Sequence, residues 1–342
     1  MVALPQFAED HAHHRVLADC TMIEAITAAL GRAMSEDERV VLLGEDIGRN
    51  GGVFRATEGL QAQFGPERVI DTPLAEALIA GVATGMASQG LRPVAEIQFS
   101  GFLFPAMEQL ATGAARLRNR TRGRLSCPMV VRAPCGGGIH APEHHSESIE
   151  ALFAHLPGIR VVSPSSPSRA YGLLLAAIYD PDPVLFLEPK RIYRAVHSDV
   201  VDDGQPLPLD RCFTLRQGSD VTLVSWGATV MESLAAADEL ADQGVSVEVL
   251  DLATIKPFDA DAILASVAKT GRLVIAQEGA LSFGVGAEIA ATVAERALWS
   301  LRAPIARVGG YDTIMPLPQN EDYYLIRSQD ITEACINTLA FD

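Results

Sequence analysis

The stretch RVIDTPLAEALIAGVATGMASQG, residues 68–90, decides the fold, because it changes from a strand-like to a helix-like pattern within a few residues. Its first residues are typical of a buried strand that ends near Asp71. Thr72 is then predicted to cap a helix, with Pro73 at its first position and the last turn near Gln89. A strand that passes directly into a helix indicates an α/β fold.

Apolar runs of the same kind recur on both sides of this stretch. They predict strands separated by amphipathic or Ala-rich helices, two of which Gly244 and Gly271 are expected to close. In the first half these runs are VVLLGED (40–46), PVAEIQF (93–99), MVVRAP (129–134), IRVVSP (159–164) and PVLFLEP (183–189). In the second half they are VTLVSWG (221–227), VSVEVLDL (245–252), RLVIAQEG (272–279) and PIARVGG (304–310). The predicted fold class is therefore α/β, with two tandem open parallel-sheet domains.

The two halves are separated by residues 191–219, which lose the periodicity and gather Pro, Asp and Gly. We predict an interdomain linker there, between a first domain over residues 20–190 and a second over 220–342. Residues 1–19 are interpreted as an N-terminal tail. Neither half carries a Gly-rich phosphate-binding loop between a strand and a helix, so the phosphates of any phosphorylated cofactor are expected to bind elsewhere.

Composition excludes several classes of function. The formal net charge of −16 repels nucleic acid and anionic membrane surfaces, and it favours a basic protein partner. The five cysteines are widely spaced and form no CxxC pair, which argues against a disulfide framework or a cysteine-based zinc site and favours a reducing cytoplasm. The N-terminus resembles neither a secretory signal nor a transit peptide, and no apolar run is long enough to span a membrane.

Glu76, near the start of the predicted helix, has two interpretations. It either complements the helix macrodipole or acts as a catalytic carboxylate at the carboxyl edge of a parallel sheet. The same helix carries Ala77, Gly81 and Gly85 in one stripe of small residues. That stripe suits close packing within the domain or a tight subunit interface, and composition alone leaves both pairs of interpretations open.

The stretch GGGIHAPEHHSESIE, residues 136–150, gathers His140, His144 and His145 among acidic residues. An i, i+4 histidine pair resembles a helical zinc motif, but the glycines and Pro142 predict an irregular loop in which this spacing loses its meaning. A His-bearing loop after a strand suits a mobile active-site wall, and a solvated corner is the alternative.

Several longer motifs occur between about residue 20 and the C-terminus, namely GGVFRAT (51–57), TPLAE (72–76), AEIQFSGFLFPA (95–106), HHSES (144–148), FLEPKRIYRA (186–195), VLDLATIKPFD (249–259) and GGYDT (309–313). Together they resemble the β subunit of the thiamine-diphosphate-dependent 2-oxoacid dehydrogenase E1 component. Within that family, GGVFRAT, AEIQFSGFLFPA, FLEPKRIYRA and GGYDT look more like the branched-chain (2-oxoisovalerate) branch than the pyruvate branch.

The resemblance implies a transketolase-like pyrimidine-binding domain followed by a transketolase C-terminal domain. It implies an α2β2 heterotetramer whose α subunit binds the diphosphate and Mg²⁺ of thiamine diphosphate, which agrees with the missing phosphate loop. It also implies transfer of an acyl group to the lipoyl group of an E2 acyltransferase, docked through a basic subunit-binding domain on the acidic C-terminal domain near EDYY (321–324). The expected location is the bacterial cytoplasm.

The resemblance also assigns roles to individual residues. Glu76 matches the glutamate that hydrogen-bonds to the aminopyrimidine of the cofactor, and His145 matches the histidine that delivers or orients protons during lipoyl acylation. Leu74, Gln98 and Phe102 fall where the family lines the cofactor and acyl pocket. In close branched-chain relatives a Tyr occupies the position of Phe102, and a Gln commonly occupies that of Glu147, whose carboxylate either raises the pKa of His145 or faces solvent.

Asp180 and Asp182, in the sequence YDPDP, fall near a monovalent-cation (K⁺) site of some relatives. An ordinary Asp-Pro turn is the simpler interpretation, because the two prolines already explain a turn. For the whole chain, the alternatives to the branched-chain enzyme are a pyruvate or acetoin dehydrogenase β subunit, a self-contained transketolase-like enzyme, and a non-catalytic assembly subunit. The chain lacks the motif and length for the self-contained enzyme, and Glu76 together with His145 argues against the assembly subunit.

Overall fold

The structure, a computed structural model, describes residues 15–341. In chain order its strands are β1 (Arg15–Thr21), β2 (Val40–Gly44), β3 (Val69–Asp71), β4 (Arg92–Glu96), β5 (Val130–Cys135), β6 (Arg160–Val162), β7 (Val184–Pro189), β8 (His197–Asp202), β9 (Phe213–Arg216), β10 (Val221–Ser225), β11 (Val247–Asp251), β12 (Thr254–Lys256), β13 (Leu273–Ala280) and β14 (Ala306–Gly310).

The α-helices of the same part of the chain are α1 (Met22–Glu36), α2 (Leu60–Phe64), α3 (Glu76–Ser88), α4 (Leu103–Glu108), α5 (Leu117–Arg120), α6 (Glu150–Ala154), α7 (Pro167–Tyr179), α8 (Thr229–Ala241), α9 (Ala260–Thr270), α10 (Val285–Ala297), α11 (Glu321–Tyr324) and α12 (Ser328–Leu339). Short 3₁₀ turns lie at Ser100–Phe102, Ala114–Arg116, Glu143–His145, Lys190–Ile192 and Leu298–Ser300, and a π-helical turn lies at Gln109–Gly113.

The first sheet has seven strands in the order β12-β6-β7-β5-β4-β2-β3. All neighbouring pairs are parallel except β12 with β6. The central strands β2, β5 and β7 are buried along their whole length, as expected for a parallel sheet covered on both faces. The carboxyl ends of these strands therefore meet at one edge of the sheet.

The second sheet has five strands in the order β14-β13-β10-β11-β9. Its strands are parallel apart from β9, which runs antiparallel at the edge. Helix α9 ends at Gly271, which adopts φ 75° as the left-handed C-cap. Two open, mainly parallel sheets in tandem confirm the predicted fold class.

Two predicted boundaries differ from the structure. The predicted linker, 191–219, carries strand β8, which pairs antiparallel with β1, and strand β9, which extends the second sheet. The predicted tail, 1–19, lies outside the described residues up to residue 14, and from Arg15 it forms the start of β1. These strands escaped prediction because their burial is mixed and they pair with segments distant in sequence.

The two sheets are joined by one continuous hydrophobic core rather than by a flexible hinge. Its buried members include Val131 and Leu187 of the first sheet together with Val224, Leu250 and Ile275 of the second. Strand β12 strengthens the connection, because it belongs to the second half of the chain but pairs with β6 of the first sheet. The loops that leave the first sheet at its carboxyl edge consequently contact the second domain.

No helix within residues 15–341 is long and apolar enough to cross a membrane.

Candidate active site

The candidate site lies at the carboxyl edge of the first sheet, where Glu45 follows β2, Glu76 follows β3, Phe99 follows β4 and the loop with His145 follows β5. These strands are neighbours, with Gly44 of β2 paired to Asp71 of β3 and to Glu96 of β4. Open α/β sheets bind their ligands at this edge.

Glu76 is the first residue of α3. The prediction that Thr72 caps this helix and that Pro73 opens it is wrong, because Ala75 is the N-cap residue and no side chain caps the helix. Residues 72–75 instead continue along the sheet edge, where the Thr72 amide donates to the Gly44 carbonyl at 2.9 Å. The extra loop brings Glu76 itself to the helix N-terminus, where a carboxylate is favoured.

The Glu76 carboxylate makes no hydrogen bond or ion pair with any residue in the 15–341 range. Four positions earlier in the chain, the Thr72 hydroxyl is buried and also lacks a hydrogen-bond partner among the described residues. Buried polar groups of folded proteins are nearly always hydrogen-bonded, so this orphaned hydroxyl is consistent with a polar ligand or a partner subunit at this edge.

Glu45 is a site residue that the sequence reasoning missed. Its pKa is raised by burial and then by the nearby carboxylates of Asp46 and Glu76. Glu45 is therefore electrostatically coupled to Glu76, and the pair of like charges favours retention of a proton. The signal that could have identified this position is the acidic pair Glu45 and Asp46 immediately after a wholly apolar strand.

His145 lies in a 3₁₀ turn of an otherwise irregular loop, as predicted. Its imidazole contacts two aromatic rings edge to face, with centroid distances of 4.4 Å to Phe99 and 5.2 Å to Phe102. Its Nδ1 atom is buried and has no hydrogen-bond partner among the described residues. The structure thus brings His145 and Phe102 together and adds Phe99, which the sequence did not single out.

The other two histidines do not join His145 in a metal site. The Nε2 atom of His140 lies 3.4 Å from an Asp322 carboxylate oxygen, and His144 is exposed. Across residues 15–341 no three His, Cys, Asp or Glu side chains are grouped as metal ligands. Glu147 is partly buried, and burial raises its pKa. The histidine whose charge opposes this shift is His144 rather than His145.

The remaining predicted pocket residues, Leu74 and Gln98, also lie in segments that follow strands at this edge of the sheet. Leu74 lies in the extra loop before α3 with 71% of its surface exposed. Gln98 is partly buried after β4 and has no hydrogen-bond partner among the residues described. Both side chains are therefore available to a ligand or to a partner subunit.

Asp180 and Asp182 lie at the opposite, amino-terminal edge of the sheet, because they immediately precede β7. The Arg160 Nε atom lies 3.2 Å from an Asp180 carboxylate oxygen, and the Arg118 Nε atom lies 2.6 Å from one of Asp182. Asp180 also accepts a hydrogen bond from the Asp182 amide, as in an ordinary turn. Both carboxylates already have cationic partners, which supports the turn interpretation.

The small-residue stripe of α3 is only partly covered by its own domain. Gly81 is partly buried, and a Cβ atom there would lie 3.5 Å from the Gln109 side chain. Ala77 and Gly85 are exposed, and a side chain at Gly85 would meet nothing within 4 Å. Nearby, Leu78 and Val82 retain 44% and 42% exposure. Packing within the domain therefore explains Gly81 but not the exposed members of the stripe.

A buried ionic cluster directly beneath the site also escaped prediction. The Arg132 guanidinium donates to both carboxylate oxygens of Glu188, at 2.8 and 2.7 Å, and to Glu96. Tyr193 donates its hydroxyl to Glu188. Glu96, Arg132 and Glu188 come from the adjacent strands β4, β5 and β7, so they connect the strand ends after which Phe99 and the His145 loop follow.

Two family models match this chain. The transketolase pyrimidine-binding domain matches residues 18–196, and the transketolase C-terminal domain matches residues 211–331. Among curated proteins, the chain is 49% identical to the pyruvate dehydrogenase E1 component subunit beta of Acholeplasma laidlawii, over 95% of this chain and 99% of that protein. It is 47% identical to the same subunit of Bacillus subtilis (strain 168), over 95% of this chain and 100% of that protein.

Solved structures of the same fold are more distant in sequence. A split-gene transketolase, described as an inactive β4 tetramer, has a TM-score of 0.77 at 24% identity and covers 94% of this chain and 99% of its own. A Pichia stipitis transketolase in complex with sedoheptulose-7-phosphate has a TM-score of 0.68 at 15% identity, over 96% of this chain and 47% of its own. These likenesses support the two-domain fold.

Proposed function

This chain belongs to the β subunits of the thiamine-diphosphate-dependent 2-oxoacid dehydrogenase E1 component, and we propose that its substrate is pyruvate. The observation that carries the substrate proposal is the near-full-length similarity, at 49% and 47% identity, to two subunits named for pyruvate dehydrogenase. The branched-chain preference expected from short motifs has less support, because those motifs cover a small part of the chain.

The polar groups at the sheet edge fit the pyrimidine part of thiamine diphosphate. The Thr72 hydroxyl is buried without a partner in the described chain, and Glu76 begins α3 without one, so both are free to hydrogen-bond to a polar ring. When bound, the cofactor supplies the electron sink for decarboxylation. Glu76 would hydrogen-bond to a ring nitrogen, and burial together with the Asp46 and Glu76 carboxylates raises the pKa of the nearby Glu45. Leu74, Gln98 and Phe102 border the acyl pocket.

His145 is proposed to move a proton when the acyl group passes to the E2 lipoyl group. The imidazole packs edge to face against two aromatic rings, which restricts its orientation, and a histidine can carry a proton near neutral pH. Glu76 follows β3 and His145 follows β5, so they lie at the same carboxyl edge of one sheet with β2 and β4 between them, which supports their action at two parts of one site.

We propose an α2β2 assembly in which the α subunit binds the diphosphate and Mg²⁺, because this sequence has no phosphate-binding loop. The exposed apolar face of α3 supports a subunit contact there. The acidic C-terminal domain is proposed to dock the basic segment of E2, although Glu321 of EDYY is buried and contributes nothing to the acidic surface. A K⁺ site at Asp180 and Asp182 stays a prediction. Location in the bacterial cytoplasm also stays a prediction.

The test compares CO₂ release from pyruvate and from 3-methyl-2-oxobutanoate, with thiamine diphosphate, Mg²⁺ and an artificial electron acceptor. The chain is assayed alone and co-purified with its α subunit, as wild type and as Glu76→Gln. Activity that needs the α subunit, prefers pyruvate and is lost in the variant supports the proposal. Preference for the branched substrate overturns the substrate, activity of the lone chain overturns the division of the site, and an active Glu76→Gln enzyme overturns the role of Glu76.

A further inference from the structure

The loop that carries His145, residues 136–148 and here called the histidine loop, is held by charged side chains that the proposed chemistry does not use. We propose that Glu278 and Glu321 of the second domain are positioning residues that fix the conformation of the histidine loop. The second domain then has a role in the reaction besides any part it has in docking partners.

Glu278, on β13, holds the two ends of the histidine loop together. One carboxylate oxygen accepts the Gly137 amide at 2.8 Å and the Ser148 hydroxyl at 2.9 Å. These two residues are eleven positions apart in sequence but meet at the same acceptor atom. The Gly136 amide closes the base of the loop by donating to the Glu147 carbonyl at 2.9 Å. Glu278 and this backbone hydrogen bond together hold the two ends of the loop close to each other.

Glu321 and Lys190 complete this arrangement from opposite sides. Glu321, the first residue of α11, accepts a hydrogen bond from the Gly138 amide, and the Lys190 ammonium donates to the Gly136 carbonyl. Both side chains are buried, and burial lowers the pKa of Lys190. Removing a charged group from water is costly unless it is paired and hydrogen-bonded. Here the hydrogen bonds of both groups go to the backbone of one loop, and the second carboxylate oxygen of Glu321 is buried without a partner in the described chain.

The loop backbone approaches these groups so closely that only glycine fits. Gly136 has φ +78°, and a Cβ atom there would lie 2.5 Å from a Glu278 carboxylate oxygen. Gly138 has φ +89°, and a Cβ atom there would lie 2.2 Å from Cδ of Arg191. Both positions need the left-handed conformation and the missing side chain. The glycine run is therefore matched to Glu278 of the second domain at Gly136 and to the Arg191 side chain at Gly138.

The contacts continue from the glycine run to the histidine. The Ser100 hydroxyl donates to the Glu147 carbonyl at 2.7 Å, which ties the far end of the loop to the segment between Phe99 and Phe102. His145 packs against both of those rings. Release of the glycine end removes one of the two attachments of the loop and so weakens the constraint on the imidazole. The catalytic consequence rests on the proposed role of His145, whereas the loop conformation itself does not.

The test uses Glu278→Leu, which removes the acceptor oxygen at similar side-chain volume, in the assembled E1 component with its α subunit. It has a structural and a catalytic readout. Hydrogen–deuterium exchange of peptides that cover 136–148 reports the loop. The ratio of lipoyl-domain acylation to activity with an artificial electron acceptor reports the step assigned to His145. We expect faster exchange in the loop and about a tenfold fall in that ratio, because a misplaced catalytic group loses rate steeply.

Two further variants keep the outcome decisive. Ser148→Ala removes one of the two donors to Glu278 and leaves the carboxylate in place, so it reports the loop even if Glu278→Leu assembles poorly. Glu288→Leu, at an exposed position of α10, is the matched control and is expected to behave as wild type.

Unchanged exchange in both Glu278→Leu and Ser148→Ala overturns the inference. The proposed role of His145 is tested separately by His145→Ala. If that variant acylates the lipoyl domain at the wild-type rate while Glu278→Leu still loosens the loop, the role of His145 fails and the positioning of the loop stands.

Discussion

The imidazole of His145 lies edge to face against the ring of Phe99, with the two ring centroids 4.4 Å apart. Phe99 is almost fully buried and contacts three other groups, namely the rings of Phe54 and Phe102 and the Lys190 ammonium. Edge-to-face pairs of this kind fix the relative orientation of two rings. Phe99 therefore connects the sheet edge, the acyl pocket and the histidine loop.

The first prediction follows from this contact. Phe99→Leu keeps an apolar side chain but removes the ring that orients His145. We expect acylation of the lipoyl domain to fall about tenfold, with the artificial-acceptor activity reduced less, because only the first reaction uses His145 as proposed. The cost in the free energy of unfolding is about 1–2 kcal/mol. Steady-state assays and urea unfolding measure the two effects.

Phe104→Leu is the matched control for that substitution. Phe104 lies in the same segment but is 45% exposed and is expected to tolerate the change. Equal acylation rates for Phe99→Leu and Phe104→Leu would show that the ring contact has no part in the reaction.

The second prediction separates catalysis from stability at Glu76. Glu76→Gln removes a carboxylate that has no protein partner within the described chain, so the free energy of unfolding changes by less than about 1 kcal/mol, the scale of a charge at a helix N-terminus. Activity falls about a hundredfold to ten-thousandfold, the usual contribution of a positioned acid or base. Glu67→Gln, at an exposed position, is the control. A decrease in the free energy of unfolding of Glu76→Gln clearly greater than about 1 kcal/mol would mean that the carboxylate is structural.

The third prediction concerns the buried cluster beneath the site. Arg132→Met leaves the carboxylates of Glu96 and Glu188 in the sheet without their cation. Removal of one partner from a buried ion pair costs about 3–5 kcal/mol in the free energy of unfolding. Arg39→Met breaks an exposed pair with Asp37 and costs at most about 1 kcal/mol. Denaturant unfolding of both variants measures the difference, and similar losses would contradict the assigned importance of burial.

The cluster around Arg132 also shows what the sequence reasoning was unable to reach. Strand β5 was predicted from its apolar run, and Arg132 was treated as part of that run. Its partners, Glu96 and Glu188, are 36 and 56 positions away. They meet only because β4, β5 and β7 are neighbours in the sheet, and strand order does not follow from hydrophobic periodicity.

Local signals were more informative where one residue type has one conformational role. The end of α9 was predicted from Gly271, whose left-handed conformation is confirmed. At Thr72 the same kind of reasoning failed, because Thr72 and Pro73 lie in an extended segment held by the Gly44 carbonyl. Because Thr72 is hydrogen-bonded to Gly44 of β2, the helix begins only at Glu76.

The last prediction is a pH dependence of stability that originates at Asp251, a fully buried residue at the end of β11. It accepts hydrogen bonds from the Ala253 amide, at 3.1 Å, and from the Ser165 hydroxyl, and the Arg169 Nε atom of the first domain lies 3.1 Å away. Burial outweighs these contacts and raises the pKa of Asp251 from 3.8 to about 6. The native state therefore binds the proton more tightly than the unfolded chain does.

The sign of the effect follows from proton linkage. Between about pH 4 and about pH 6 the native state carries more protons at Asp251, so its contribution to stability is present below that range and is lost as the pH rises through it. A shift from 3.8 to about 6 corresponds to about 3 kcal/mol. Asp251→Asn has no ionisable group, so the free energy of unfolding of the variant minus that of wild type should increase with pH across this range. Urea unfolding between about pH 4 and about pH 7 measures this difference, with the exposed Asp261→Asn as control. A difference that stays constant with pH, as expected for Asp261→Asn, would mean that Asp251 keeps an ordinary pKa despite its burial.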